Sequence, residues 1–181
     1  MNAQPFIMDP GRTVILIMDF QNGIVNTVAR DPEGTVSRAA SVLAAARTIG
    51  VPIVYVRHRG GRFVVDTPDA QFHPGIAPEE GERIFEKTRA GSFSTTGLDV
   101  LLREAGRDTM VIMGVSTSGC VLSTVRWAAD INYRLVVVSD ACDDADEEVH
   151  RVLTEKVFPR QAMMLTAEQF VFAAAGLRPA V

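Results

Sequence analysis

Apolar residues in this chain follow two alternating patterns. Short unbroken β-branched and aliphatic runs, beginning with TVILIM at Thr13–Met18, are too short for a buried helix and fit strands covered on both faces. Between them lie stretches whose apolar positions recur three and four apart. Residues 36–49 carry Val36, Ala39, Ala40, Leu43 and Ala46 in that spacing, with Gly50 placed to end a helix and Pro52 to prevent its continuation. Residues 52–57, PIVYVR, form the next strand run. Strand, helix and strand within about 45 residues make a βαβ unit, which requires a parallel sheet.

The rhythm then breaks. Residues 58–83 contain Gly60, Gly61, Pro68, Pro74, Gly75, Pro78 and Gly81 without a clear period, as expected for the rim or lid of a pocket. Arg83–Lys87 reads as a third strand and residues 88–95 as a turn. Thr96, with Asp99 three residues on, predicts a capped helix through Leu98, Leu101, Leu102 and Ala105, stopped by Gly106. Residues 109–113 form a fourth strand and 114–119 a turn, with Thr117 or Ser118 capping a helix that carries Cys120, Val121, Thr124, Val125, Trp127 and Ala128. A fifth strand at 134–139 precedes a helix from 145 to about 157, begun by Asp144 with Glu147 and closed by Pro159. A sixth strand at 162–165 leads to a last helix over 168–175, opened by Thr166 and ended by Gly176. The alternation predicts an α/β, doubly wound (Rossmann-like) three-layer sandwich with a mainly parallel six-stranded sheet, formed by residues 1–181 as one domain.

Composition narrows the function. With 181 residues, 47% of them hydrophobic, the chain can build a core without metals or disulfides. A formal net charge of −4 argues against nucleic acid or an anionic membrane as partner. Cys120 and Cys142 do not make a disulfide scaffold. The first 20 residues lack a basic start, apolar core and small-residue cleavage site, and no apolar run approaches the ~18–20 residues of a membrane span. The expected location is the cytoplasm, where a free thiol stays reduced.

In a parallel sheet, ligands bind at the carboxyl ends of the strands. The first strand ends at Asp19, the third at Lys87, and the fourth leads to Cys120. A carboxylate, an ammonium and a thiol on one edge make a nucleophile with a proton acceptor and a cation. A free thiol titrates near ~8.5, and the helix start and Lys87 are expected to favour its thiolate. Asp19 would take the thiol proton, the thiolate would attack a carbonyl carbon, and N–H groups of residues 114–120 would hold the oxyanion. Phe20, Gln21 and Phe93 adjoin these residues as candidates to line the pocket, and Arg57, Arg59 and Arg62 as candidates to bind a substrate carboxylate. Cys142 reads as structural and His150 as solvated. Asp140, Asp143, Asp144 and Asp146 read as favouring a helix N-terminus, and Trp127 as a core or subunit contact.

Three segments, LIMDFQNGIV at 16–25, EKTRAGSFSTTGL at 86–98 and MGVSTSGCVLSTVRWAADINYRLVVVSDAC at 113–142, together resemble the isochorismatase-like cysteine hydrolases, the superfamily that includes nicotinamidases and N-carbamoylsarcosine amidase. The resemblance implies a catalytic Asp19–Lys87–Cys120 triad. It also implies a cis peptide at Val115–Ser116 that aims the Ser116 N–H, with that of Cys120, into an oxyanion hole. It further implies a small-molecule substrate and a homo-oligomer, dimer or tetramer. The Asp-x-His…His metal site of nicotinamidases has no counterpart in RHRGG at 57–61, so neither metal nor cofactor is expected, although His58 and His73 remain as possible ligands. The presence of Cys120 favours hydrolysis of a C–N bond (amide, ureido or lactam) through a thioester. The alternatives are an enol-ether hydrolase of the isochorismatase type with Asp19 as acid, and a non-catalytic binding module of the same fold.

Overall fold

The computed structural model describes residues 8–61, 63–64 and 66–176. Six strands, β1 (Thr13–Met18), β2 (Ile53–His58), β3 (Arg83–Lys87), β4 (Thr109–Val115), β5 (Arg134–Asp143) and β6 (Met163–Leu165), form one sheet in the order β3-β2-β1-β4-β5-β6. Every pairing is parallel, so the sheet is parallel throughout rather than mainly so.

The two-residue period of the strands divides the core. Ile15, Ile17, Ile53, Tyr55, Val111 and Met113 face helices α1 (Asn22–Val28), α2 (Pro32–Thr48) and α6 (Ala167–Ala175). Val14, Leu16, Met18, Val54, Val56 and Ile112 face α3 (Leu98–Glu104), α4 (Leu122–Asp130) and the turn after α5 (Glu147–Val152). This is the expected three-layer arrangement.

Most differences from the sequence reading lie at element ends. Helix α2 starts four residues earlier than the apolar period suggests, because Pro32 suits the first helical position and Asp31 caps it by accepting the Gly34 N–H at 3.1 Å. Gly50, at φ 71°, ends it as expected. Helix α3 has Gly97 at its cap, one residue after the expected Thr96, whose hydroxyl nevertheless accepts the Leu98 N–H at 3.2 Å, and Asp99 accepts the Tyr133 hydroxyl at 2.8 Å. Helix α5 starts at Glu147 behind Asp146, not at 145 behind Asp144, because Asp146 accepts the N–H groups of Glu148 and Val149. The sequence reading has no element at α1, whose NGIVNTV carries no side-chain cap. It forms where Gly23 allows the chain to approach Asp69 closely.

The 58–83 connection is fastened down. It contains two short 3₁₀ turns, Pro68–Ala70 and Pro74–Ile76. The Gln21 amide donates to the carbonyls of His58 (3.0 Å) and Ala70 (3.2 Å) and accepts the His58 N–H at 2.7 Å. The His73 N–H donates to Phe20 O at 2.9 Å. The segment is therefore tied to the carboxyl end of β1, as a rim would be. Among the described residues no helix is long and apolar enough to cross a membrane.

The core on the α2 side sets a stability expectation. Leu43 is fully buried between α2 and the sheet. Leu43→Ala should cost about 2–5 kcal/mol, read as a lower urea midpoint at unchanged m-value.

Candidate active site

Strands β1 and β4 are hydrogen-bonded neighbours, and the chain runs outward from them in opposite directions. Such a reversal opens a crevice at the carboxyl ends. Asp19 is the first residue beyond β1. Its backbone is left-handed, φ 59°, and its N–H donates to Val56 O at 2.8 Å. For a residue with a Cβ this conformation is disfavoured by roughly 1–2 kcal/mol, although Asp and Asn tolerate it best. The turn breaks the strand alternation and sets the carboxylate against Lys87, on the sheet face that holds Met18, Val56 and Phe85.

The Lys87 ammonium donates to Asp19 Oδ2 at 2.7 Å and to Arg89 O at 3.1 Å. Both residues are inaccessible, Lys87 at 1% exposure and Asp19 at 5%. The second carboxylate oxygen, Oδ1, is buried without a hydrogen-bond partner among the described residues.

Cys120 reaches the same point from β4. The Val115–Ser116 peptide is cis. A π-helical turn, Thr117–Val121, follows it and leads into α4. Ser116 caps this turn, its hydroxyl accepting the Gly119 N–H at 3.1 Å. The Ser116 carbonyl accepts the N–H groups of Gly119 and Val121, each at 3.3 Å, and faces the Cys120 thiol at 3.5 Å. The expected caps, Thr117 and Ser118, are displaced from that role because β4 runs two residues beyond the apolar run at 109–113. Gly114 makes room for the sulfur. A Cβ there would lie 3.0 Å from Cys120 Sγ, 3.0 Å from Val121 Cγ2 and 3.2 Å from Met18 O.

Burial dominates the electrostatics. Desolvation raises the Asp19 pKa to about 6, against the lowering by the charge and hydrogen bond of Lys87 and by the nearby Cys120 thiol. Keeping Asp19 ionised therefore costs the fold stability that its protonated form does not. The stability is full below the unfolded value of 3.8 and is lost as the pH rises toward about 6. Burial likewise pushes the Cys120 thiol well up, and the Asp19 charge adds to this while Lys87 opposes it. Desolvation thus outweighs the lysine that favours the thiolate.

The other candidates divide. Phe20 is fully buried in the core on the α2 face, and the Gln21 amide is engaged by the backbones of His58 and Ala70. Arg57 shares the sheet face of Ile53 and Tyr55, opposite to Lys87, where its guanidinium pairs with Glu86 at 2.6 Å and covers the Phe72 ring. Arg59 pairs with the same Glu86 at 3.0 Å. Arg62 lies outside the described residues. Phe93 sits in the core cluster that holds Cys120, stacked on Trp127 with centroids 6.5 Å apart. Trp127 is 47% exposed and so is not a core residue.

His73 Nδ1 accepts the Gly75 N–H at 3.2 Å, and among the described residues no group of three or more His, Cys, Asp or Glu could hold a metal. His58, considered in the sequence only as a metal ligand, pairs in register with Lys87 and so shares its face. Burial and the Lys87 charge lower its pKa. Its neighbour Lys87 lies 29 positions on in sequence, so only the strand register reveals the pairing.

The model of the isochorismatase domain matches residues 13–169. Streptothricin hydrolase of Streptomyces noursei is 33% identical over 132 residues, which cover 70% of this chain and 48% of that protein. The uncharacterized isochorismatase family protein YwoC of Bacillus subtilis is 33% identical over 62% of this chain and 60% of its own length. The chain thus spans half to three-fifths of these two relatives. Maleamate amidohydrolase of Pseudomonas putida is 29% identical over 77% of this chain and 76% of that protein. Among solved structures, N-carbamoylsarcosine amidase from Thermoplasma acidophilum superposes with a TM-score of 0.77 at 25% identity, covering 87% of this chain and 97% of that one. A cysteine hydrolase from Pseudomonas syringae pv. phaseolicola superposes at 0.88 over 98% of this chain and 100% of that one; at 21% identity this shows the fold alone.

Two outcomes follow from the geometry. Gly114→Ala should cost about 1–3 kcal/mol by overpacking and displace the sulfur, measured as a lower Tm together with a changed alkylation rate at Cys120. Lys87→Met removes the charge that holds the Asp19 pKa down, so the Asp19 carboxyl carbon, followed by NMR, should titrate at a higher pH than in the starting protein.

Proposed function

The chain belongs to the isochorismatase family, and we propose that it is a cysteine-dependent hydrolase that cleaves a C–N bond (amide, ureido or lactam) of a small molecule through a thioester. The observation that carries this reading is the buried Lys87–Asp19 pair beside Cys120, with one carboxylate oxygen left without a hydrogen-bond partner among the described residues. Relatives named as maleamate amidohydrolase and ureidoacrylate amidohydrolase, and the fold shared with N-carbamoylsarcosine amidase, support the class of bond.

In this reading the resting site holds a thiol and a carboxylate. As Cys120 Sγ attacks the substrate carbonyl carbon, its proton passes to Asp19, so a free thiolate need not accumulate in the apolar site. The carbonyl oxygen becomes an oxyanion bound by the N–H groups of Ser116 and Cys120. The donors of Ser118, Gly119 and Val121 are already engaged. Protonated Asp19 gives its proton to the leaving nitrogen, and the C–N bond breaks to leave a thioester. Water, with Asp19 again accepting a proton, hydrolyses the thioester and restores the thiol. Lys87 keeps Asp19 ionised often enough near neutral pH to act as acceptor, and the raised Asp19 pKa makes the protonated form a usable acid. His58, on the face of Lys87, is the side chain we assign to hydrogen-bond the substrate.

A second reading rests on that same raised pKa: Asp19 alone protonates an enol ether, and Cys120 is not needed. A screen for ammonia release across small amides, followed by variants, separates the two. Cys120→Ala should lower turnover by about a thousandfold or more with the fold intact, and iodoacetamide should inactivate the protein. Activity should fall as the pH drops through about 6, where Asp19 takes up its proton. Asp19→Asn, which tolerates the left-handed backbone, should be inactive under both readings. A fully active Cys120→Ala protein would sink the covalent mechanism, and an unreactive Cys120 with no hydrolysis would point to a binding module.

A further inference from the structure

The nucleophile turn is held from behind by the residues just beyond β5. Asp144 Oδ2 accepts the Ser118 N–H at 2.7 Å. Thr117 Oγ1 donates to the Asp143 carbonyl at 3.1 Å and lies 2.8 Å from His150 Nδ1. A threonine hydroxyl has one proton, and a carbonyl can only accept it. The hydroxyl thus links the Asp143 carbonyl to the His150 ring.

Asp143 is itself anchored. Its Oδ2 accepts the N–H groups of Arg30 and Asp31, each at 2.9 Å, and the Thr35 hydroxyl at 3.2 Å. Its Oδ1 accepts the Asp144 N–H at 2.8 Å. The two aspartates, read in the sequence as helix-end charges, instead form a bracket between the α1–α2 turn and the turn that carries Cys120.

Buried carboxylates are expensive to desolvate, and both of these are buried. The proposed chemistry supplies a reason to keep them. Oxyanion donors act only when held within a few tenths of an ångström of the developing charge. The Thr117–Val121 turn is a single π-helical turn, a form that recurs mostly at functional sites, and its flanking bonds to Asp143, Asp144 and His150 come from outside the turn.

We propose that Asp144, Thr117 and His150 are positioning residues that fix the orientation of the Thr117–Val121 turn, and with it the aim of the Cys120 sulfur and N–H. The inference rests on the reading of Cys120 as nucleophile. Thr117→Val preserves shape and removes both hydroxyl bonds, whereas Thr117→Ser keeps them. Asp144→Ala removes the acceptor for Ser118, whereas Asp144→Asn retains one.

In the full-length protein, three quantities are measured for each variant. These are Tm, the rate of iodoacetamide modification at Cys120 against pH (resolved from Cys142 by peptide mass), and kcat and KM for an amide found by the ammonia screen. Thr117→Val and Asp144→Ala should lower kcat by about tenfold or more, hold KM within about threefold, and alter the pH profile of Cys120 modification. Thr117→Ser and Asp144→Asn should restore both readouts to within about threefold of the starting protein. The proposal is overturned if the Val and Ala variants keep the starting kcat and modification profile, whatever their Tm. It is equally overturned if the Ser and Asn variants fail as badly as these. Failure of the nucleophile reading looks different: modified Cys120 with turnover intact in the starting protein.

Discussion

The Lys87–Asp19 ion pair is the interaction on which the site depends. Both partners are almost fully removed from water at 2.7 Å separation. A pair in such a place repays its desolvation only when geometry is good and remaining hydrogen-bonding capacity is met. The lysine meets this with a second bond to Arg89 O, whereas the aspartate keeps one oxygen without a hydrogen-bond partner among the described residues. Burial is what raises the aspartate's pKa, and it leaves a carboxylate beside a thiol. A surface pair would be screened and would leave the carboxylate near its ordinary value.

Topology places this pair. The strand order sets β1 against β4, so Asp19 and the turn bearing Cys120 leave adjacent strands at the point where the winding reverses. Lys87 arrives from the edge strand β3 and its ammonium reaches Asp19 at the end of β1. Two local features complete the approach: a left-handed backbone at Asp19 turns its carboxylate toward Lys87, and the absence of a side chain at Gly114 lets the sulfur sit against β4.

Much of the polar chemistry around the site is support. Gln21 holds the 58–70 segment to the end of β1, and Asp143 holds the α1–α2 turn to the end of β5. In sequence, each of these looks like a surface residue or a candidate ligand contact. Their burial shows that neighbouring backbone groups, which would otherwise lose their hydrogen bonds to water, are their partners.

Read alone, the sequence determined the succession of strands and helices, the parallel sheet and the convergence of Asp19, Lys87 and Cys120 on its carboxyl edge. These follow from hydrophobic period and from where each apolar run stops, which are local properties. Only the tertiary structure decided which neighbouring residues serve the site. Arg57 and His58 are adjacent in the chain, yet the pleat sends them to opposite faces: Arg57 to Glu86 and Phe72, His58 to the side of Lys87. The short helix α1, the cap at Ser116 and the thiol state of Cys120 were also beyond the sequence. Each depends on close packing or desolvation by residues distant in the chain, and those energies exist only once the fold has excluded water.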